Sequence, residues 1–158
     1  MHEYRTRLAW SGSTAVGYDA YARAHDLEIV GPNVSYPLSA DPAFRGDPAR
    51  SNPEQLLLAA AVSCQCLSFL AVAARARLDV VAYRDDATAL MPENDPPVRI
   101  TRIELRPQIT LRDGDRPRPD EARLGRLVDI AHRECYIANS LRTDVVIDPR
   151  FAWMPEPG

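Results

Sequence analysis

The sequence contains no lysine; all 19 of its basic residues are arginine. That excludes Schiff-base catalysis and the phosphate-gripping lysine of a P-loop, both of which need a primary amine. Arginine remains, permanently charged and able to hold a carboxylate through two parallel bonds. A positive surplus is also missing. The net charge is −3 and the isoelectric point about 5.6, which argues against a nucleic-acid partner. No charge block or low-complexity tract occurs. The opening stretch MHEYRTRLAW lacks the apolar stretch of a secretory signal, so a cytoplasmic protein is expected. Cysteine is scarce: Cys64, Cys66 and Cys135 are the three present. An odd count in such a compartment does not suggest a structural disulfide framework. Histidine is equally scarce, with three residues. A closed zinc site needs four ligands, and a site built on His132 and Cys135 with Cys64 or Cys66 is the one arrangement the spacing suggests; no metal is expected.

One long hydrophobic stretch is present. Asn52 to Arg77, NPEQLLLAAAVSCQCLSFLAVAARAR, reads as a single helix. Asn52 suits the N-cap, Pro53 the first helical position, and Gln55 can reach back to the cap. Apolar residues fall on all sides, so burial all round is expected. The run is also about the ~20 residues of a membrane span. Ser63, Gln65 and Ser68 interrupt it, and the remaining chain alternates like a soluble α/β domain, so no membrane partner is expected. Cys64 and Cys66 lie on this helix about 200° apart, at ~100° per residue, and cannot pair with each other. Free cysteine is often a small buried hydrophobe, and that reading stands for both until something else distinguishes them.

The 158 residues suit one domain, 1–158, with a helix at 52–77 and a Pro-rich tail at 150–158. Arg5–Trp10 reads as a strand, Gly17–Val30 as an extended segment with a bend near Arg23–His25, and Val34–Ser51 as a long loop rich in Pro, Asp and Ser. Leu78–Met91 reads as one strand. Val98–Arg112 is the clearest strand, with Ile103, Leu105, Pro107, Ile109 and Leu111 on its packed face. Pro107 cannot donate to a ladder, which places this strand at an edge or on a bulge. Pro119–Arg133 reads as a helix with a stripe of Leu124, Leu127, Val128 and Ala131; a short helix or turn holds Cys135; Val145–Ile147 is a last strand. In the tail, Phe151 and Trp153 are candidates to dock on a partner. The order is α+β, with hairpins rather than crossovers. A helix apolar all round needs more cover than this chain supplies, which points to a homodimer.

Asn52-Pro53-Glu54-Gln55-Leu56, with Cys64 twelve positions after the Asn, resembles the helix motif of the OsmC/Ohr family, the osmotically induced and organic hydroperoxide resistance proteins. Cys135 followed by Ala138-Asn139-Ser140 resembles the family's second cysteine motif, and the element order matches from about residue 5 to 148. The resemblance implies an intertwined homodimer of antiparallel sheets wrapped around long central helices. It implies an antioxidant thiol peroxidase that uses no metal and no bound cofactor, reducing organic hydroperoxides, with hydrogen peroxide a second substrate. Cys64 would attack the peroxide, Cys135 would resolve the resulting sulfenic acid as a disulfide, and an external dithiol would reduce that bridge. The alternative is a non-catalytic dimer holding a small apolar ligand between subunits. Three features depart from the family pattern: Tyr136 stands after the second cysteine where Pro is usual, Cys66 is an extra thiol, and the Val34–Ser51 loop is distinctive.

Such chemistry needs a thiolate, and a free cysteine near pKa ~8.5 is mostly thiol at neutral pH. Cys64 is mid-helix, cannot use its own helix N-terminus, and burial raises its pKa, so a cation is required. The resemblance implies an Arg held by Glu54. Arg45, on the loop entering the helix, is the first choice, with Arg23 and Arg50 as alternatives. Glu54 has a plainer reading, as an acid that favours the helix N-terminus, and Arg45 one as a solvated loop residue. Cys66 is expected to be inert packing. Phe44 and Tyr36 are candidates to line an apolar site for bulky organic peroxides.

Overall fold

The structure, a computed structural model, describes residues 1–114 and 116–155. The elements run β1 (Thr6–Ala9), β2 (His25–Ile29), β3 (Val34–Leu38), α1 (Pro53–Arg75), β4 (Asp79–Asp85), β5 (Thr88–Leu90), β6 (Arg102–Leu105), β7 (Pro107–Arg112), α2 (Glu121–Glu134), α3 (Tyr136–Ser140), β8 (Asp144–Ile147) and β9 (Arg150–Met154). This is the expected α+β class. The chain forms two compact units, Met1–Leu57 and Leu58–Gly158.

In the first unit β1, β2 and β3 form an antiparallel meander, with Leu8 opposite Leu27 and Leu27 opposite Tyr36. The extended segment expected from Gly17 shrinks to β2. Gly17, at φ +91°, opens a turn in which the N–H groups of Ala20 and Tyr21 donate to its carbonyl. The apparent alternation of Tyr18, Ala20 and Ala22 is therefore a turn whose two tyrosines pack on Arg23, 5.0 and 3.9 Å from their ring centres. The expected loop from Val34 likewise begins as β3. Pro37 is tolerated there because β3 is an edge strand. Between β3 and α1 the backbone is tightly tied. Ser39 N–H donates to Ser51 O at 2.9 Å, and Asp47 N–H donates to the buried Ser39 hydroxyl at 3.0 Å. A Cβ on Gly46 would lie 1.6 Å from Ala40 O, so only glycine fits the approach. Asn52 completes the capping box as its sequence suggests: Gln55 N–H donates to Asn52 Oδ1 at 2.9 Å, and Asn52 N–H donates to Gln55 Oε1 at 3.1 Å.

α1 ends on a Schellman motif. Leu78 N–H donates to Ala73 O at 2.9 Å and Arg77 N–H to Ala74 O at 3.0 Å, with Arg77 left-handed at φ +60°. Burial all round is not met within this chain. Ala61, Gln65, Phe69, Val72 and Ala73 form one buried stripe, while Leu67 is 65% and Leu70 36% exposed. By length and composition α1 would suffice to cross a membrane. Its inner stripe instead meets a core of Ile109, Leu111, Leu124, Val128 and Ala131, with the Phe69 ring 6.2 Å from Tyr83 and 6.4 Å from Phe151. The α2 stripe is as expected for Leu124, Val128 and Ala131, and Asp120 caps that helix through Arg123 N–H at 2.7 Å.

Ile103, Leu105, Pro107, Ile109 and Leu111 are all buried, as the alternation requires. The single strand is nevertheless two. Chain continuity through Arg106 hands it from the sheet β5-β6-β8 to the sheet β4-β7-β9, and it is the central strand of each. Pro107 is thus not at an edge; it opens β7, where no ladder donor is missed. Leu78–Met91 divides in the same way, β4 and β5 joining different sheets. Hairpins do not account for every connection, since β6–β8 and β7–β9 are parallel pairs. The chain returns through α2 and α3 before β8, the kind of crossover that parallel pairing needs. Phe151 and Trp153 belong to β9 rather than to a loose tail. The last residues of the expected tail, 156–158, lie outside the described residues.

Candidate active site

Cys64 lies half-buried on α1, and the chain that surrounds its sulfur comes from α3. Cys135, almost fully buried, is the last residue before α3 and sits in extended backbone at φ −72°, ψ 108°. The next peptides turn their N–H groups inward. Ile137 N–H donates to Cys64 Sγ at 3.5 Å. Cys135, the Tyr136 N–H and Ser68 are further neighbours that favour the ionised sulfur. Burial pushes the Cys64 thiol up, but the Ile137 N–H, then Cys135, Tyr136 and Ser68 outweigh it and hold the group below its ordinary value. Cys135 moves the other way. Burial, eased by the Ala138 N–H and reinforced by the neighbouring Cys64, pushes it up to about 11. The two thiols are neighbours and differently poised, one toward thiolate and one toward thiol.

The donors add to the inference from the sequence. Cys64 cannot use the N-terminus of its own helix, but it uses the first turn of another. No motif announces this, because every residue other than proline carries an N–H. The one legible hint is Tyr136. A proline there would supply no donor, whereas tyrosine adds one. Tyr136→Pro should be tolerated, since proline suits a first helical turn and Cys135 already has the extended backbone that must precede it. With that donor gone, the Cys64 pKa should move upward. Iodoacetamide alkylation of Cys64 at pH 7 should slow about two- to fivefold, following the thiolate fraction. An unchanged alkylation pH profile would remove the Tyr136 N–H from the activation.

Cys66 has different neighbours. Burial first, and then the negative charge of Asp85, push its pKa up. Asp85 accepts Arg106 N–H at 2.7 Å and receives the Tyr83 hydroxyl at 3.5 Å. A thiol held protonated in this way fits the packing role expected of it. Two buried polar atoms near the cysteines in sequence, Gln65 Oε1 and His132 Nδ1, have no partner among the described residues. No group of three His, Cys, Asp or Glu side chains gathers to hold a metal among those residues.

The other expected site residues lie in the first unit. Glu54 is in the first turn of α1 and half-buried. Arg45 is left-handed at φ +62°, ion-paired with Asp19 at 2.6 Å and 5.3 Å from the Tyr18 ring centre. Arg50 pairs with Asp47 at 3.6 Å. Arg23 donates to the carbonyls of Tyr21 and Tyr18 at 2.6 and 2.5 Å. It also lines a largely apolar cavity of about 420 Å³ with Trp10, Tyr21, His25, Ser39 and Pro53. Phe44 and Tyr36 do not line that cavity. Trp10 and Tyr21 do, and their sequence context, a strand end and a turn, gave no sign of it.

The sequence model of the OsmC-like protein family matches residues 46–150, the part of the chain that holds α1, Cys64, Cys135 and every strand from β4 to β8. This chain belongs to the OsmC-like family. An OsmC-like protein of unknown function from Vibrio cholerae has a solved structure that is 30% identical, with a TM-score of 0.83 over 95% of this chain and 100% of that one. The fold is shared more distantly with an organic hydroperoxide resistance protein from Legionella pneumophila, 14% identical with a TM-score of 0.66 over 96% of this chain and 98% of that one. One from Elizabethkingia anophelis is 13% identical, with a TM-score of 0.71 over 98% of each chain. Among curated proteins none is a significant match. The OsmC-like fold thus includes hydroperoxide resistance proteins, and in this member it brings its two motif cysteines together.

Proposed function

We propose that this OsmC-like protein is a thiol-dependent peroxidase for organic hydroperoxides. The observation that carries the reading is the Ile137 N–H donated to Cys64 Sγ, with Cys135 the neighbour that helps to hold the Cys64 pKa down. The Cys64 thiolate attacks one peroxide oxygen. The O–O bond breaks, the alkoxide leaves with a proton as alcohol, and Cys64 becomes a sulfenic acid. The Cys135 sulfur then attacks the Cys64 sulfur and releases water, forming a Cys64–Cys135 disulfide. An external dithiol returns the pair to thiols by exchange. Glu54, with Arg45 or Arg23 as the cation, is proposed to support the thiolate on the family resemblance; Arg45 is engaged by Asp19, and Arg23 by the carbonyls of Tyr21 and Tyr18.

Intact and peptide mass spectrometry of the reduced protein after one equivalent of cumene hydroperoxide tests the reading. The expected result is a loss of two protons within seconds, mapped to a Cys64–Cys135 bridge. Thiols that stayed reduced for many minutes would sink it. The apolar cavity also favours a second reading, a non-catalytic binder of a small apolar ligand. In that case a Cys64→Ser chain would keep its ligand and have no activity to lose.

The working unit in this reading is a homodimer. Its support is the apolar surface each unit leaves uncovered: Leu67 and Leu70 on α1, and Leu8, Ile29, Val34 and Tyr36 on the thin β1-β2-β3 sheet. Sedimentation equilibrium should return twice the chain mass of 17.6 kDa. A single-chain mass at micromolar concentration would exclude the intertwined arrangement.

A further inference from the structure

The C-terminal unit holds a second concavity, at the other end of α1 from its capping box. It has a volume of about 690 Å³ and is walled by the α1–β4 turn, the end of β7 and the approach to α2. Cys64 is twelve residues back along α1 from Ala76, about 18 Å at 1.5 Å per residue, so the thiol chemistry does not involve it. Its distinguishing feature is charge. Arg77, Arg112, Arg116, Arg118, Arg123 and Arg126 all line it, six of the chain's 19 arginines, in a protein whose net charge is −3.

Two of the six are already fixed. Arg112 pairs with Asp79 at 3.2 Å, and Arg118 grips both oxygens of Asp113 at 2.6 Å while lying 5.1 Å from the Trp153 ring centre. The other four make no ion pair among the described residues. Among the described residues, the acids that line the cavity are Asp79, taken by Arg112, and Asp120, at the cap of α2: two against six arginines. Guanidinium groups crowded this way repel one another unless an anion joins them.

A second, independent observation comes from the backbone. Arg77 occupies the left-handed position that closes the Schellman motif of α1, at φ +60°. Glycine is the residue such a position favours, because a Cβ there is strained. The chain instead carries a charged side chain at that point, and the side chain lines the cavity. Conformational strain retained at one residue marks a position where the side chain has a use.

We infer that this cavity binds a small, multiply charged phosphate compound. Guanidinium forks match phosphate oxygens two at a time. A tetrahedral phosphate accepts such forks from several directions, as the walls of this cavity present them, whereas a planar carboxylate is met along its edge. The half-open volume of about 690 Å³ suits a molecule of a few phosphate groups.

The test uses the full chain with sodium tripolyphosphate as the probe, binding being measured by titration calorimetry at fixed ionic strength. Saturable one-site binding is expected, at least tenfold tighter than citrate at the same pH. Arg77→Gly should weaken it tenfold or more while the protein melts no lower than the parent, so the loss cannot be one of folding. The Arg123→Gln/Arg126→Gln pair should weaken it further. Arg7→Gln, a control on β1 where Arg7 pairs with Glu28, should leave it unchanged. Equal loss in Arg7→Gln and Arg77→Gly, or none in Arg77→Gly, would show a general attraction of polyanions and overturn the site. Citrate binding as tightly as tripolyphosphate would overturn the phosphate assignment.

Discussion

Cys64→Ser should abolish hydroperoxide consumption while the protein folds and melts normally. A serine hydroxyl titrates far above the working pH and carries none of the nucleophilicity of a thiolate, so the donors that tune the sulfur have nothing to act upon. The loss should be at least about a thousandfold, equivalent to about 4 kcal/mol of transition-state stabilisation. Only background reaction at the remaining thiols should survive. Both are poor nucleophiles at neutral pH, because burial raises Cys135 and burial with Asp85 raises Cys66. The half-buried position of residue 64, rather than one sealed in the core, is the reason stability should hardly change. A stopped-flow assay of peroxide loss with a dithiol present measures the effect. If Cys64→Ser retained more than about a tenth of the parent rate, another group would be the nucleophile.

The comparison with Cys66→Ser isolates the reason. Both cysteines are half-buried on α1, yet opposite influences act on them. Cys64 faces a helix's first turn and its N–H groups; Cys66 faces a carboxylate. In the proposed reading, position on the helix, two residues and roughly 200° apart by the 100° step, decides which becomes reactive. Cys66→Ser should therefore leave turnover within about twofold of the parent.

That contrast indicates what a sequence can and cannot reveal. The start of α1 was legible because an N-cap, a proline and a glutamine act within four consecutive residues, and the capping box forms as written. The packed face from Ile103 to Leu111 was legible because pleating alone fixes it. Strand partners were not. One unbroken alternation serves two sheets, and nothing in the pattern marks Arg106 as the crossing between them. β3 and β9 were hidden by their prolines or by their position near the chain end, since burial and pairing are supplied by distant partners. The site divides along the same line. Both cysteines could be named from their motifs. The donors to Cys64 could not, because they are peptide groups whose aim depends on the course of α3. Glu54, Arg23 and Arg45 carry the right chemistry, and their roles rest on the family resemblance rather than on a geometry that local sequence dictates.

Cys135→Ser should convert a cycling enzyme into one that reacts once. In the resting protein the Cys135 side chain helps to hold the Cys64 pKa down through a hydrogen bond. A serine hydroxyl donates as well, so the first step, formation of the Cys64 sulfenic acid, should keep its rate within about threefold. Cys135→Ala removes the donor and should slow that first step more than serine does. The second step then has no sulfur to perform it. Steady-state turnover with a dithiol should fall by about a hundredfold or more, and dimedone should label Cys64 with one adduct per chain. The coupling between the two thiols gives the sequence of events its order. Burial is the first cause of the high Cys135 pKa, but the Cys64 sulfur adds to it both through its hydrogen bond and through its charge. Oxidation to a neutral sulfenic acid removes that contribution, so Cys135 becomes easier to ionise at the moment it is needed. The rate of disulfide formation in the parent should accordingly rise with pH along a curve lying below about 11, the value in the reduced protein. A resolving step independent of pH from 6 to 10, or a Cys135→Ser chain that cycles at the parent rate, would show that Cys64 is reduced directly by the external thiol and that Cys135 is only a donor.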